Sequence, residues 1–381
     1  MSVGTAAPAR PDGRLAGWTP VLVGVLGFAL TRVLTLLVAW QQGGERTLAA
    51  LSRADGTWYL RIVADGYDDS LAPAAADGAA RLPDLAFFPL FPQLVRLVSL
   101  TGLSPAVSAL VVSGVAGLVC AWGLVRLGEQ LGSARVGVVL AVLWGVQPAA
   151  VALSMVLSEA TFTAFAVWAL VHLLRGHLLP AALLAVAAGL TRPTGVAVVL
   201  AVWWVAVPLA VQRTSTRRLE AATAVVVAPL GLAAFLVFVA ARIGTWDGYW
   251  QVQRVWRTGV DWGATLATTV RERLFDTAVV PYAVVAWLVV VGVVLLVALL
   301  WSRPPGAVVV YTLAALTLIT VQAGYVHSRQ RFLLVVFPLL LPLARLLARP
   351  PAWVTVLVLV AAASLSAWYG AWLLYSWRYS I

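Results

Sequence analysis

"LSRADGTWYLRIVADGYDDS", residues 51–70, sets four aspartates, two arginines and three aromatics into twenty positions of an otherwise apolar chain. It follows a first apolar stretch, Trp18–Trp40. Leu51, Trp58, Tyr59, Ile62 and Val63 recur at helical spacing. At about 100° per residue, Asp55 projects onto the side of Trp58, Tyr59 and Ile62, while Arg53 and Arg61 point elsewhere. The pattern predicts an amphipathic helix over 51–67 lying in a membrane interface, with Asp55 on its membrane-facing side.

The rest of the chain supplies the membrane. Of its 381 residues, 62% are hydrophobic and 11% charged, with a mean hydropathy of +0.94. A soluble domain carries roughly 25% charged residues, so this composition cannot cover a water-facing surface. Runs of ~20 apolar residues, the length that spans a bilayer, recur throughout. The expected fold is all-α: a polytopic protein of the cell membrane, forming a single transmembrane domain over residues 1–381. The net charge is +11, and every basic residue apart from three histidines is arginine. These arginines are scattered at helix ends and not clustered on one face, which fits snorkelling and orientation signals and not a nucleic-acid surface. The one cysteine, Cys120, excludes an intrachain disulfide and a cysteine metal site. No GxxxxGK[ST] and no strand-linked GxGxxG occurs. Arg10 and Arg14 precede 18–40, but that run is too long for a cleaved signal segment and no small-residue cleavage site follows it. It reads as a retained first span.

Apolar runs at roughly 18–40, 104–126, 136–153, 159–175, 178–191, 194–211, 220–242, 277–302, 306–325, 331–347 and 352–374 give about eleven spans. Phe87–Leu100 is short and contains Pro89, Pro92 and Arg96; it reads as an interfacial or re-entrant segment. With that choice Arg10, Arg14, Arg126, Arg135, Arg175, Arg213, Arg217, Arg218, Arg303, Arg345 and Arg349 fall at cytoplasmic ends, the positive-inside arrangement. Counting it as a crossing inverts everything downstream. The N-terminus is then inside and the C-terminus outside. The long polar segments 41–103 and 243–276 share the extracytoplasmic side with Glu159, Arg192, His327, Arg329 and Arg331, each at or near a helix end. All acids except Asp12, Glu129 and Glu220 fall there too. Charge deep inside a span, which marks a permeation path, is confined to Arg32. A polar surface at one face of the bilayer describes an interfacial active site better than a channel.

Five stretches in this order, "RADGTWYLRIVADGY", "LAFFPLFP", "LSEATF", "LTRPTG" and "HSRQRFLLVVFP", with "TRVLTLL" at 31–37, resemble the PIG-V mannosyltransferases, GT-C-type membrane glycosyltransferases related to the second mannosyltransferase of GPI-anchor synthesis. The resemblance runs from Arg32 to Pro338. It implies a polyprenyl-phosphate-mannose donor, an inverting transfer and an extracytoplasmic active site in 41–103. The family's loop aspartate falls on Asp55, the Tyr of its GY pair on Tyr67, and its FFP on Phe87, Phe88 and Pro89. Its TRP-type arginine falls on Arg192, and its HxxxRF-like end on His327, Arg331 and Phe332. The family commonly places Trp directly before the aspartate; here Ala54 stands there.

Residue chemistry agrees without the family. Outside the cytoplasm a sugar arrives on a lipid carrier. A lipid phosphate leaves readily once its charge is compensated, whereas a glycosidase must protonate an alkoxide and needs two carboxylates. One base for the acceptor hydroxyl is then sufficient, with arginine forks for the phosphate. Asp55 is the candidate base, and Arg192, Arg331, Arg329 and Arg32 are candidate phosphate ligands. Glu159, His327, Trp58 and Tyr67 are candidate substrate contacts. Trp246, Tyr249, Trp250, Trp256 and Trp262 of the second loop fit a sugar platform or equally a headgroup-level aromatic belt. Each candidate has a second reading: Asp55 as a helix N-cap, Glu159 as a helix-dipole partner, Arg192 as a helix terminator before Pro193, His327 as an interhelical hydrogen bonder, Arg329 and Arg331 as headgroup anchors. Asp65, Asp68 and Asp69 read as solvated loop acids. No metal and no cofactor are implied; the lipid-linked sugar is a co-substrate and a lipid, glycan or protein the acceptor. A lipid-linked-sugar flippase or transporter is the alternative, and a non-catalytic scaffold a third.

Overall fold

The computed structural model describes residues 18–73 and 81–379. Arg10, Asp12 and Arg14, assigned above to the cytoplasmic side, lie outside the described residues. The described chain is helical apart from loops and one isolated β-bridge between Val260 and Gln322.

Five helices are long and apolar enough to cross a membrane: Thr19–Leu51, Pro105–Leu131, Arg218–Ile243, Val280–Trp301 and Ala352–Tyr375. Val326–Val335 and Phe337–Leu347, joined at a 76° bend, form a further apolar pair, either a broken span or a re-entrant loop. Pro338 sits just beyond that bend and cannot donate the backbone bond that would straighten it. Five shorter apolar helices, Ala134–Gly145, Glu159–Leu174, Leu178–Gly189, Gly195–Val211 and Gly306–Val321, occupy the other expected positions. At 1.5 Å per residue a 12-residue helix reaches only ~18 Å against a hydrocarbon core of ~30 Å. By length and composition alone, five of the described helices are long enough to cross, or six if the bent pair is one span, and the shorter helices stand at the other expected positions. Most of the shorter apolar runs match their helices closely, and the run at 136–153 leaves the α-helix well before its end. There Ala134–Gly145 gives way to a 3-10 turn at Ala150–Ser154.

The first span shows how the sequence faces lipid and protein at once. Leu22, Leu26, Leu30, Val33, Leu37 and Trp40 form an exposed stripe at three- and four-residue spacing, while Gly24, Phe28, Arg32, Thr35 and Ala39 are buried. Hydrocarbon tails are as apolar as leucine, so packing here depends on close approach of small residues. A Cβ on Gly128 would lie 2.3 Å from the Cα of Gly137, which locks Pro105–Leu131 against Ala134–Gly145.

The described part of 41–103 builds one side of the site. Leu90–Ser99 forms a ten-residue helix burying Phe91, Pro92 and Val95, short as its prolines predict. The helix expected over 51–67 is interrupted: Thr47–Leu51 ends at Ser52, and a new helix runs Asp55–Asp65. Between them Ala54 takes φ 56°, a conformation costing a non-glycine about 1–3 kcal/mol. The surroundings hold it. Arg53 donates to the carbonyls of Trp377 at 2.8 Å and Leu373 at 2.6 Å, and Val156 N–H donates to Leu51 O at 3.0 Å. Gly56 packs directly on Val156. Tyr59, Ile62 and Val63 bury the inner face of Asp55–Asp65, and Asp55 is thereby fixed as its first residue.

Candidate active site

Asp55 opens the helix Asp55–Asp65 and Glu159 opens Glu159–Leu174. Both carboxylates therefore sit at the positive end of a helix dipole. Arg192 lies in the turn between Leu178–Gly189 and Gly195–Val211, and Arg331 on the short helix Arg329–Phe332. The fold brings these four together. Arg331 Nη2 donates to Asp55 Oδ2, and its Nε lies 3.6 Å from Glu159 Oε1. Arg192 Nη1 approaches the same oxygen at 2.9 Å and donates to Ser158 Oγ at 3.1 Å. Ser158 Oγ is 2.8 Å from the Tyr59 hydroxyl. Phe332 lies under both guanidiniums, its ring centroid 5.5 Å from Arg192 Cζ and 5.0 Å from Arg331 Cζ, a cation–π contact for each.

Exposure separates the two acids. Glu159 is wholly buried, and its Oε2 has no hydrogen-bond partner. The Asp55 side chain keeps 26% of its surface, so a substrate can reach it. The N-cap reading of Asp55 is not what the fold uses: Ala54 is the cap position, and the Asp55 carboxylate turns to Arg331.

Asp55, Arg192 and Arg331 share the wall of an open cavity of about 550 Å³. Its remaining wall is largely apolar and aromatic, including Phe87, Phe88, Tyr249, Trp256 and Phe332. Burial raises the Tyr59 hydroxyl to about 12, with Arg192 opposing, and pushes Tyr249 up as well. Both phenols therefore face the cavity as neutral donors, not as bases.

Other candidates stand elsewhere. Arg32 donates to the carbonyls of Gly145 and Ala150 and through Nε to Thr31 at 3.3 Å; it pins the first span and does not line the cavity. Arg329 donates to the carbonyls of Thr320 and Gln322, tying down the end of Gly306–Val321. Tyr67 gives its hydroxyl to Phe87 O at 2.8 Å and supports the "FFP" segment from behind. Trp58 stacks on Phe87 with centroids 6.1 Å apart and borders a second, smaller cavity. His327 is buried among Tyr282, Tyr325, Trp377 and Tyr379, off both cavity walls. One loop acid departs from expectation. Asp68 is not solvated: it pairs with Arg61 at 3.0 Å and with Arg81. It also exchanges amide–carboxylate bonds with Asp84 at 2.8 and 2.9 Å. Burial raises the Asp84 carboxyl to about 7.

The structure adds residues that the sequence reading passed over. Ser158 bridges Arg192 to Tyr59; its only signal was its place before Glu159 in "SEATF". Tyr325, at φ 40°, lines both cavities, and nothing in the sequence marked it.

No protein-family model matches the chain, and no curated protein matches it in sequence. Solved structures do match. ArnT from Cupriavidus metallidurans bound to undecaprenyl phosphate superposes with a TM-score of 0.53 at 18% identity, covering 88% of this chain and 63% of that one. The archaeal oligosaccharyltransferase AglB from Archaeoglobus fulgidus, in complex with an inhibitory peptide and a dolichol-phosphate, superposes with a TM-score of 0.54 at 11% identity, covering 97% and 57%. The chain thus spans less than two thirds of the length of either. What it shares with them is the architecture, the all-α, polytopic GT-C-type membrane fold.

Proposed function

We propose that this chain is a glycosyltransferase that moves a hexose from a polyprenyl phosphate to an acceptor hydroxyl at the extracytoplasmic face, the face that the arginine distribution assigns to the cavity. Mannose is the sugar its sequence resemblance favours. The observation that carries the reading is the shared wall: one partly open carboxylate, Asp55, beside two guanidiniums, Arg192 and Arg331, at the mouth of an apolar cavity. The two neighbours of like fold were solved with undecaprenyl phosphate and a dolichol-phosphate, which supports a lipid phosphate as the carrier.

The proposed chemistry follows from the contacts. The donor phosphate enters between Arg192 and Arg331 and accepts their N–H groups. Arg331 is drawn from Asp55, so the carboxylate oxygen it occupied becomes available. Asp55 then accepts the acceptor's hydroxyl proton. The acceptor oxygen bonds to the anomeric carbon, the bond from that carbon to the phosphate oxygen breaks, and the electron pair leaves on polyprenyl phosphate, with inversion. Glu159, buried behind the wall, holds the two guanidiniums at their spacing. Arg329 and Arg32 take no part, since backbone carbonyls occupy them.

The test is Asp55→Asn, assayed by transfer of labelled mannose from polyprenyl-phosphate mannose in membranes. Transfer should fall by about 10²–10⁴-fold, the usual contribution of a positioned base, while polyprenyl phosphate still binds. An Asn variant that transfers within a few fold of the parent removes Asp55 from the chemistry and the proposal with it.

A further inference from the structure

A second cavity of about 370 Å³ opens on the other side of Asp55. Asp55, Trp256 and Tyr325 belong to both cavities and form the partition between them. Arg192 and Arg331 line only the first, and Arg378, Tyr379, Trp58 and Thr57 only the second. The carboxylate is therefore reached from two directions that differ in chemistry. One is largely apolar and carries the guanidiniums of Arg192 and Arg331. The other is aromatic, more open to water, and bordered by a separate cation.

That cation is uncommitted. Arg378 is exposed and makes no ion pair and no hydrogen bond among the described residues. It is nevertheless held in place. Arg53, two positions before Asp55, donates to the carbonyls of Trp377 and Leu373, so the turn that fixes Asp55 also fixes the segment carrying Arg378 and Tyr379. Aromatic faces complete the site: Trp58 and Trp256 meet edge to face with centroids 5.2 Å apart. An aromatic face presents negative potential to the C–H face of a sugar ring.

We infer that this second cavity is the acceptor subsite, and that its ligand is a saccharide carrying an anionic group, a phosphodiester or a carboxylate, held by Arg378 while its hydroxyl meets Asp55. The inference rests on the glycosyl-transfer reading above and extends it to the acceptor. The sugar packs against Trp58 and Trp256. The anion lies toward Arg378, away from the donor's phosphate, so the two negative groups enter by different cavities and are not opposed.

The test is equilibrium dialysis on the full chain in nanodiscs with three soluble probes: a methyl hexoside, its methyl phosphodiester and a methyl hexuronide. The anionic probes should bind about tenfold tighter than the neutral one, as a charge-assisted hydrogen bond predicts. Arg378→Ala should erase that preference, Arg378→Lys should keep most of it, and binding of polyprenyl phosphate should be unchanged in both. A preference for the phosphodiester alone identifies a phosphate-linked glycan; equal preference for the hexuronide identifies a generic anion site. The inference is overturned if the parent shows no anionic preference, if the preference survives Arg378→Ala, or if that variant weakens polyprenyl phosphate as much as the probes. Failure of polyprenyl phosphate to bind the parent would strike the donor assignment instead, and is read in a separate arm.

Discussion

Glu159→Gln isolates the charge on which the proposed phosphate site is built. Glu159 Oε1 lies 2.9 Å from Arg192 and 3.6 Å from Arg331. At an effective dielectric of about 20 these are gross attractions of about 6 and 5 kcal/mol, much of which offsets the desolvation of the buried Glu159 and Arg331 and the half-buried Arg192. Removing one member of such a cluster costs about 3–5 kcal/mol net. The low end applies here, because Glu159 Oε2 has no hydrogen-bond partner to lose. Glu159→Gln should therefore destabilise the apoprotein by about 3 kcal/mol. The same change frees two guanidiniums for an incoming anion. Polyprenyl phosphate should bind about tenfold tighter to the variant, equivalent to about 1.4 kcal/mol. A ligand concentration that stabilises the parent by about 2.7 kcal/mol should stabilise the variant by about 4.1. Thermal unfolding in nanodiscs, with and without polyprenyl phosphate, reads both effects. The reasoning fails if the variant loses stability but gains no more from the ligand than the parent does, since the guanidiniums would then not be the phosphate site.

Two further outcomes separate structural from substrate roles. Arg32→Leu strips the guanidinium donor from the carbonyls of Gly145 and Ala150 and should lower stability by about 2–5 kcal/mol, while KM for the donor stays within twofold; a tenfold rise in that KM would return Arg32 to the donor site. Asp84 supplies a pH dependence. Its carboxyl is raised by burial from 3.8 to about 7 in the folded protein, so folding takes up a proton between those values. Its contribution is full below about pH 4 and is lost as pH rises through about 7. Hydrogen exchange of the 66–73 amides should quicken over that window, and Asp84→Asn should flatten the profile; exchange that slows with rising pH, after correction for the intrinsic rate, contradicts the assignment.

Much of this arrangement was legible because it is local or compositional. Hydropathy and the scarcity of charge announced a helical membrane chain before any contact was known. The 100° projection puts Asp55 on the side of Tyr59 and Ile62, but that side packs on protein and does not face the membrane: Tyr59 and Ile62 are buried against Phe91 and Val95, and Asp55 turns to Arg331 and the cavity. The short Leu90–Ser99 helix follows from its prolines. Span length was less legible. A hydropathy window measures how apolar a run is, not where its backbone leaves the α-helix, so the run at 136–153 looked longer than its helix, Ala134–Gly145. The buried role of Asp68 was hidden for another reason: its partners Arg81 and Asp84 lie thirteen and sixteen positions away across a loop with no periodicity.

The stretch "HSRQRF" shows where local reasoning could have gone further and where it could not. On an α-helix, residues two apart are about 200° apart in projection, so Arg329 and Arg331 cannot both face one cavity. The structure obeys this: Arg331 turns to Asp55 and Glu159, Arg329 to the carbonyls of Thr320 and Gln322. Naming both as phosphate ligands overlooked a rule already in hand. His327 is different. It stands four before Arg331, a spacing that in a continuous helix would set both on one face. Val326–Ser328 is instead a 3-10 turn, and the α-helix begins only at Arg329. The imidazole lies among Tyr282, Trp377 and Tyr379, off the cavity wall that Arg331 lines. Tyr325, at φ 40°, directly precedes that turn and lines both cavities, so the short segment that supplies Tyr325 and Arg331 to the site keeps His327 off its wall.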